Sequence, residues 1–162
     1  MDVPNNNPNS HSYAFEVQKL MITSDIQPEV ITYSMVGGSS GTMNLKIVRT
    51  NPTTGAITYN ANATVAYGCT AATFLAALNL FNSFSTYQTS VERFIYDSNN
   101  NTINTTAGAS RIDYVVSILL MRPTAYQTEN FIVSYAGYTG TFVKTLIAQH
   151  SPTITGTFSL TL

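Results

Sequence analysis

Residues 42–67 read TMNLKIVRTNPTTGAITYNANATVAY and carry the clearest signature of the fold. Met43, Leu45 and Ile47 alternate with polar residues, which is the two-residue period of a strand with one buried face. Residues 51–55, Asn-Pro-Thr-Thr-Gly, favour a turn, because proline fixes one φ angle and glycine permits another. Since the residues after the turn return to a strand-like composition, the stretch predicts a β-hairpin.

Outside this hairpin, further short runs rich in β-branched and aromatic residues are separated by Gly, Pro and Asn. Residues 112–121 are almost continuously apolar, so this strand is predicted to be buried on both faces. Short strands at such spacing are typical of a sandwich or barrel. The chain is therefore predicted to be mainly β, an antiparallel β-sandwich of Ig-like or jelly-roll-like type. The other predicted strands cover residues 13–17, 29–36, 90–96, 131–135, 142–148 and 154–162.

One segment has a helical period where its neighbours alternate. It opens with Thr70, a residue type that caps helix N-termini, and its apolar residues recur at the spacing of one helical face. The segment predicts one short α-helix near 70–81, packed by its apolar stripe against a sheet. That stripe consists of Phe74, Leu75, Leu78 and Phe81.

The length of 162 residues predicts a single domain with a short segment at either end. Residues 1–12 contain two prolines and many asparagines, so they are predicted to form an extended N-terminal arm. Residues 13–153 are assigned to the β-sandwich domain. Residues 154–162 are assigned to a C-terminal strand, because apolar and polar residues alternate again there.

The surface is predicted to be polar but weakly charged. Only 9% of the residues are charged, compared with about 25% in an average domain, and Thr, Ser and Asn are abundant instead. Such a surface suits packing into an assembly or an extracellular setting. The net charge of −1 and the lack of a basic run exclude a nucleic-acid partner. No apolar run reaches the length of a membrane span.

The C-terminal strand repeats the pattern of the strand in the first hairpin. Residues 41–47 read GTMNLKI and residues 156–162 read GTFSLTL, with apolar side chains at the same three alternate places. The similarity has two interpretations. It reflects either the usual appearance of a strand after a tight turn or a terminal strand that completes the sheet of a neighbouring subunit. The second is our hypothesis. The assembly strand consists of Ile154, Phe158, Leu160 and Leu162, and the similar internal strand of Met43, Leu45 and Ile47.

Residues 41–80 combine the GTMNLKI strand, the polar strand NATVAY at 62–67 and an Ala-rich helix from residue 70. This order resembles the short β-sandwich repeats of large extracellular and surface proteins of protists and bacteria. The resemblance covers about a quarter of the chain, and it implies an extracellular or cell-surface location. No catalytic residue is carried over by it.

The sequence gives no pattern that predicts catalysis. Residues 37–41, Gly-Gly-Ser-Ser-Gly, formally match a Gly-x-Ser-x-Gly nucleophile motif, and Asp97, Asp113 and His150 follow in hydrolase order. That motif needs a helix after it, whereas a strand follows here, so a hairpin loop is the preferred interpretation. His11 and His150 have no partner at metal-ligand spacing. We therefore predict no enzymatic activity, no cofactor and no metal site.

Two further features have simple interpretations. Asp97, Asn99 and Asn101 match the first half of a calcium loop, but the turn glycine and the final carboxylate are missing, so a polar loop is preferred. The single cysteine, Cys69, excludes an internal disulfide and is predicted to be a small buried residue. Glycosylation sequons, which matter only in a secreted eukaryotic protein, begin at Asn62, Asn100 and Asn104.

Taken together, the sequence predicts a structural subunit of an extracellular or surface filament, assembled as a homo-oligomer or polymer through strand-mediated contacts. One alternative is a viral capsid or virion structural protein, which shares the β content and the polar surface. The other is a carbohydrate-binding or adhesive module with a glycan partner, in which tyrosines stack on sugars or else belong to the core. The tyrosines in or near predicted strands are Tyr13, Tyr33, Tyr59, Tyr67 and Tyr138.

Overall fold

The computed structural model describes residues 27–150, which form two antiparallel β-sheets packed against each other. This confirms the prediction of a mainly β, antiparallel sandwich. The predicted arm at residues 1–12, the predicted strand at 13–17 and the C-terminal strand at 154–162 lie outside the described residues. In chain order, the elements are β1 (Glu29–Val36), β2 (Thr42–Thr50), β3 (Ile57–Ala66), α1 (Ala71–Leu78), α2 (Asn82–Ser85), β4 (Thr89–Tyr96), β5 (Arg111–Ile118), α3 (Thr124–Gln127), β6 (Asn130–Ala136) and β7 (Thr141–Ala148).

The two sheets have the strand orders β4-β5-β1-β7, here called sheet A, and β3-β2-β6, here called sheet B. The predicted hairpin is confirmed, because β2 and β3 pair from Thr42 opposite Ala66 to Thr50 opposite Ile57. Its turn is closed by the Asn51 side chain, whose Oδ1 accepts hydrogen bonds from two following backbone amides at 2.8 and 3.1 Å. Such Asx turns favour a reversal of the chain over a continued strand.

Helix α1 confirms the predicted helix and its cap, although it is shorter than predicted. The Thr70 hydroxyl accepts a hydrogen bond from the Thr73 amide at 3.1 Å, and the helix ends at Leu78. Phe81 is buried but lies beyond this end. The single-turn helices α2 and α3 were not predicted, because four residues are too few to show a helical period. Within residues 27–150, no helix is long and apolar enough to cross a bilayer.

The prediction that residues 112–121 are buried on both faces is wrong. Strand β5 ends at Ile118, and its residues alternate between buried and half-buried, because only one face of sheet A packs against sheet B. Leu119, Leu120 and Met121 follow it and are exposed. Arg122 follows these exposed residues and is itself buried, although a charged side chain is normally expected at the surface.

The core lies between the sheets and is sealed by aromatic rings. Phe74 of α1 stacks on Tyr114 of β5, with ring centroids 4.1 Å apart and planes inclined by 10°. Offset stacking of this kind contributes beyond the burial of apolar area. The other large side chains that are fully buried are Tyr33, Phe81, Phe84, Ile31, Met35, Met43, Leu45, Ile47, Leu78 and Ile112.

Candidate functional site

The inward faces of the central strands are completely covered. In sheet A, Ile31, Tyr33 and Met35 of β1 point into the core, and all are at most 1% exposed. In sheet B, the three residues of the predicted internal strand on β2 do the same. Each sheet therefore has a sealed centre, and any exposed apolar surface between the sheets has to lie at their edges. The three buried residues of β2 are Met43, Leu45 and Ile47.

One side of the sandwich is closed by a helix. Helix α1 packs against both β3 and β4, which are the edge strands of sheets B and A on that side. It buries Phe74, Ala77 and Leu78 there. The edge strands on the opposite side are β6 and β7, and no element of the described part of the chain covers them in the same way.

The inward-facing residues of β6 and β7 form a line of incompletely buried side chains, which we call the open edge. They face inward because each lies directly opposite a core residue of β2 or β1, and directly opposed residues share a face of the sheet. Tyr135 is 45% exposed and Leu146 is 46% exposed. The core is therefore accessible from this side. The open edge consists of Phe131, Val133 and Tyr135 on β6 and Phe142, Lys144 and Leu146 on β7.

The turn that joins β6 to β7 is packed tightly against the turn that joins β1 to β2. Gly41 has a φ of 100°, and a Cβ atom there would overlap the backbone of Gly137 and Tyr138. Only glycine fits such a position without strain. Gly38 and Gly41 are therefore explained by this close approach of two turns, and Gly37 by its positive φ of 69°. Ser39 and Ser40 are exposed.

The other end of the sandwich holds a buried network of charges. Arg122 donates two hydrogen bonds to the Glu29 carboxylate, one of them at 3.3 Å, and both side chains are 3% exposed. The guanidinium of Arg122 also lies 4.0 Å from Glu129, whose carboxylate is 3.2 Å from Nε of Arg49. In a chain with so few charged residues, this network links the start of β1 in sheet A to the end of β2 in sheet B.

Aromatic rings hold one end of this network in place. The Arg49 guanidinium lies over the rings of Tyr59 and Tyr126, at 4.2 and 4.3 Å from their centroids. Both contacts are short enough for a cation–π attraction, which stabilises this position of the guanidinium. A groove of about 550 Å³ lies beside it, between the β2–β3 turn and α3. Its lining is mainly uncharged and polar, consisting of Val48, Arg49, Thr50, Asn51, Pro52, Thr58, Thr124, Ala125, Thr128 and Asn130.

Burial changes the proton affinity of two groups at this end. It raises the pKa of the Glu129 carboxyl, although the Ser83 hydroxyl and the neighbouring cations act in the opposite direction. Desolvation lowers the pKa of Lys144, and repulsion from Arg122 adds to the effect. The ammonium of Lys144 lies 5.5 Å from the centre of the Phe131 ring, at the open edge.

The raised pKa of Glu129 predicts a pH dependence of stability. The folded protein binds the proton of the Glu129 carboxyl more tightly than the unfolded chain does. The protonated carboxyl therefore contributes fully to the free energy of unfolding below the usual carboxyl pKa, and this contribution is lost as pH rises through the raised pKa. We expect the difference in unfolding free energy between the wild type and Glu129→Gln to fall over this interval. Urea unfolding of both proteins at a series of pH values measures it. If the difference grew with pH instead, the attraction from Arg49 and Arg122 would lower the pKa of Glu129 by more than burial raises it.

The residues predicted for the assembly strand, Ile154, Phe158, Leu160 and Leu162, lie outside the described residues, so the structure does not place them. The three predicted sequon asparagines are all exposed: Asn62 is on the outer face of β3, and the other two are in loops. Their glycosylation stays a prediction. The loop residues are Asn100 and Asn104.

The candidate catalytic residues are not brought together. His150 lies beside the start of β1, where its Nδ1 is 3.0 Å from the Gln27 carbonyl oxygen. Ser39 follows the other end of β1, which is about 25 Å away for a strand of eight residues. Asp113 instead accepts a hydrogen bond from Arg111 at 3.1 Å. A strand, β2, follows the Gly-x-Ser-x-Gly match as predicted, but the prediction of a hairpin loop is wrong, because residues 37–41 connect β1 of sheet A to β2 of sheet B.

The predicted polar loop at residues 97–101 is an Asx-type turn. The Asp97 carboxylate accepts hydrogen bonds from the amides of Asn99 and Asn101 at 2.8 and 2.9 Å, which also lower its pKa. The carboxylate is therefore engaged in holding the loop. Among the residues that the structure describes, no group of three or more His, Cys, Asp and Glu side chains is arranged to hold a metal ion.

Cys69 and the tyrosines belong largely to the packing of the fold. The Cys69 thiol is half-buried and 3.4 Å from the Tyr114 hydroxyl, and burial raises its pKa, so it is a poor nucleophile at neutral pH. Tyr33 and Tyr138 are buried in the core, and two others pack against it. The rings of Tyr33 and Tyr138 are therefore not available to stack on sugars, and the fifth predicted tyrosine, Tyr13, lies outside the described residues. The partly buried pair is Tyr59 and Tyr67.

The open edge and the charge network were both missed by the sequence analysis. The network joins Glu29 to Arg122 across 93 residues of sequence, so no local spacing could reveal it. One signal was present, namely an arginine that directly follows an apolar run. No protein-family model, curated protein or solved structure matches the chain.

Proposed function

We propose that this protein is a structural subunit of an extracellular or surface filament, whose copies join through strand-mediated contacts. The observation that carries the proposal is the open edge, where core-facing side chains of β6 and β7 stay accessible. Exposed edge strands with an apolar face are templates for pairing with another strand. Proteins that remain single in solution usually cover such edges or place charges on them, whereas here one of the six residues of the open edge, Lys144, is charged.

The composition supports the same function. A surface with few charges generates little repulsion between identical copies, so close packing of many subunits costs little electrostatic energy. The polar, weakly charged surface and the resemblance to surface-protein repeats support the extracellular setting. Residues 154–162 provide an amphipathic segment that is suited to donate a strand.

Deletion of residues 154–162 tests the proposal. We expect the full chain to form linear filaments in negative-stain microscopy, and the deleted chain to sediment as a monomer. A full chain that stays monomeric at high concentration, or a deleted chain that still polymerises, would contradict the proposal. Closed shells in place of filaments would favour the capsid alternative.

A matched pair of variants tests whether assembly needs the apolar side chains of residues 154–162 or only the presence of this segment. Replacing Phe158, Leu160 and Leu162 together by serine should abolish assembly as the deletion does. Replacing the intervening Thr157, Ser159 and Thr161 together by alanine should leave assembly intact, because these side chains alternate with the apolar ones.

A further inference from the structure

We infer that the open edge is the acceptor for residues 154–162 of a second copy, which would add a strand beside β7 at the edge of sheet A. The inference rests on the proposed function and goes further by assigning the surface that receives the strand.

The backbone of β7 has polar groups directed away from the sheet. The Phe142 amide donates a hydrogen bond to the Tyr135 hydroxyl at 3.0 Å, although Phe142 lies opposite Met35 in the ladder with β1. Its N–H therefore points away from β1. Because hydrogen bonding alternates along an antiparallel strand, Lys144 and Leu146 also direct their N–H and C=O groups to the free side. An added strand can satisfy the groups of Lys144 and Leu146, whereas the Phe142 N–H is already bonded to Tyr135.

The side chains of β7 define where the side chains of the added strand would go. Phe142, Lys144 and Leu146 face the core, and residues directly opposite them on a new strand would face it too. Residues 154–162 end with three apolar side chains at two-residue spacing. Three inward positions on β7 thus match three apolar positions on the donor, and the aliphatic stem of Lys144 contributes apolar surface at the central one.

The path of the chain after β7 favours a second copy as the donor. His150 is 3% exposed, and its ring is held at the carbonyl of Gln27, next to the start of β1. Strand β1 lies on the side of β7 that is opposite to the free edge. The described chain therefore ends on the side of β7 that is away from its free edge.

The matched variants Leu146→Lys and Val143→Lys test the acceptor in the full-length chain. Both residues lie on β7, and their exposures are 46% and 44%, but Leu146 faces inward and Val143 faces outward. We expect Leu146→Lys to raise the concentration for half-maximal assembly by about tenfold or more. We expect Val143→Lys to change it by less than about twofold. Sedimentation measures assembly, and thermal unfolding verifies that each variant is folded.

The outcomes separate the acceptor from the proposed function. If the wild type polymerises and needs residues 154–162, but Leu146→Lys assembles as well as Val143→Lys, the function stands and the acceptor is wrong. If both variants fail equally, the contact lies on the outer face and the acceptor is again wrong. If the wild type is monomeric and its own residues 154–162 cover the open edge, both are wrong. Leu146→Ser should weaken assembly in the same direction without adding a charge.

Discussion

Replacing Arg122 with methionine is expected to lower the free energy of unfolding by about 3–5 kcal/mol. Methionine fills a similar volume but leaves the Glu29 carboxylate buried without its hydrogen-bonding partner. An ionised carboxylate in this position has lost its water and receives no compensation from the protein, which explains the size of the effect. Since the total stability of a domain is about 5–15 kcal/mol, the variant will be close to unfolding. Urea unfolding measures the change.

Arg111→Met is the matched control for this prediction. Arg111 also pairs with a carboxylate, that of Asp113 at 3.1 Å, but its side chain is 36% exposed. Exposed ion pairs contribute up to about 1 kcal/mol, so the control should lose no more than that. Equal losses of unfolding free energy in Arg122→Met and Arg111→Met would show that burial does not increase the contribution of the Arg122 ion pair to stability.

Replacing Phe74 with alanine is the second large effect, with an expected loss of about 3–5 kcal/mol. Phe74 is completely buried and stacks on Tyr114, and it also lies near Tyr33, with ring centroids 5.7 Å apart. The substitution would leave a cavity where α1 meets the core and would remove the stacking contact. The loss is measured by urea or thermal unfolding, with cooperativity checked by two spectroscopic probes.

Leu80→Ala serves as the control in the same region. Leu80 follows α1 and is 62% exposed, so its truncation should change the unfolding free energy by no more than about 0.5 kcal/mol. If Phe74→Ala were as mild as this control, α1 would not be a part of the core. The closed side of the sandwich would then need another explanation.

The centre of the sandwich could be predicted from the sequence because its strands follow a simple alternation. Met43, Leu45 and Ile47 repeat every two residues, and all three are buried. The turn at residues 51–55 was recognised for a local reason, since the Asn51 side chain and the positive φ of Gly55 both act within the turn. Local patterns of this kind require no knowledge of which strands are neighbours.

The edges could not be predicted in the same way. Phe131, Val133 and Tyr135 alternate as regularly as the residues of β2, yet they are only partly buried. Their exposure depends on the strand order, which places β6 and β7 on the side away from α1. Strand order is set by contacts between distant parts of the chain, so alternation identifies a strand without showing whether it is central or at an edge.

The apolar run at residues 112–121 misled the sequence analysis for a related reason. Continuous apolar character predicts two buried faces, whereas the run combines the one-sided strand β5 with three exposed residues after Ile118. The polar network next to this run followed no local pattern either. Arg122 is buried because Glu29 from the other end of the described chain pairs with it.

The central claim is that one copy donates residues 154–162 to the open edge of another, and a mixed disulfide tests it most directly. Chains with Lys144→Cys are mixed with chains with Leu160→Cys, both with Cys69→Ala, because positions 144 and 160 are the central pair whichever way the added strand runs. We predict a disulfide that joins the two different variants, identified by mass spectrometry after oxidation. The claim is contradicted if no mixed disulfide forms, or if a chain that carries both cysteines closes the bond only within itself.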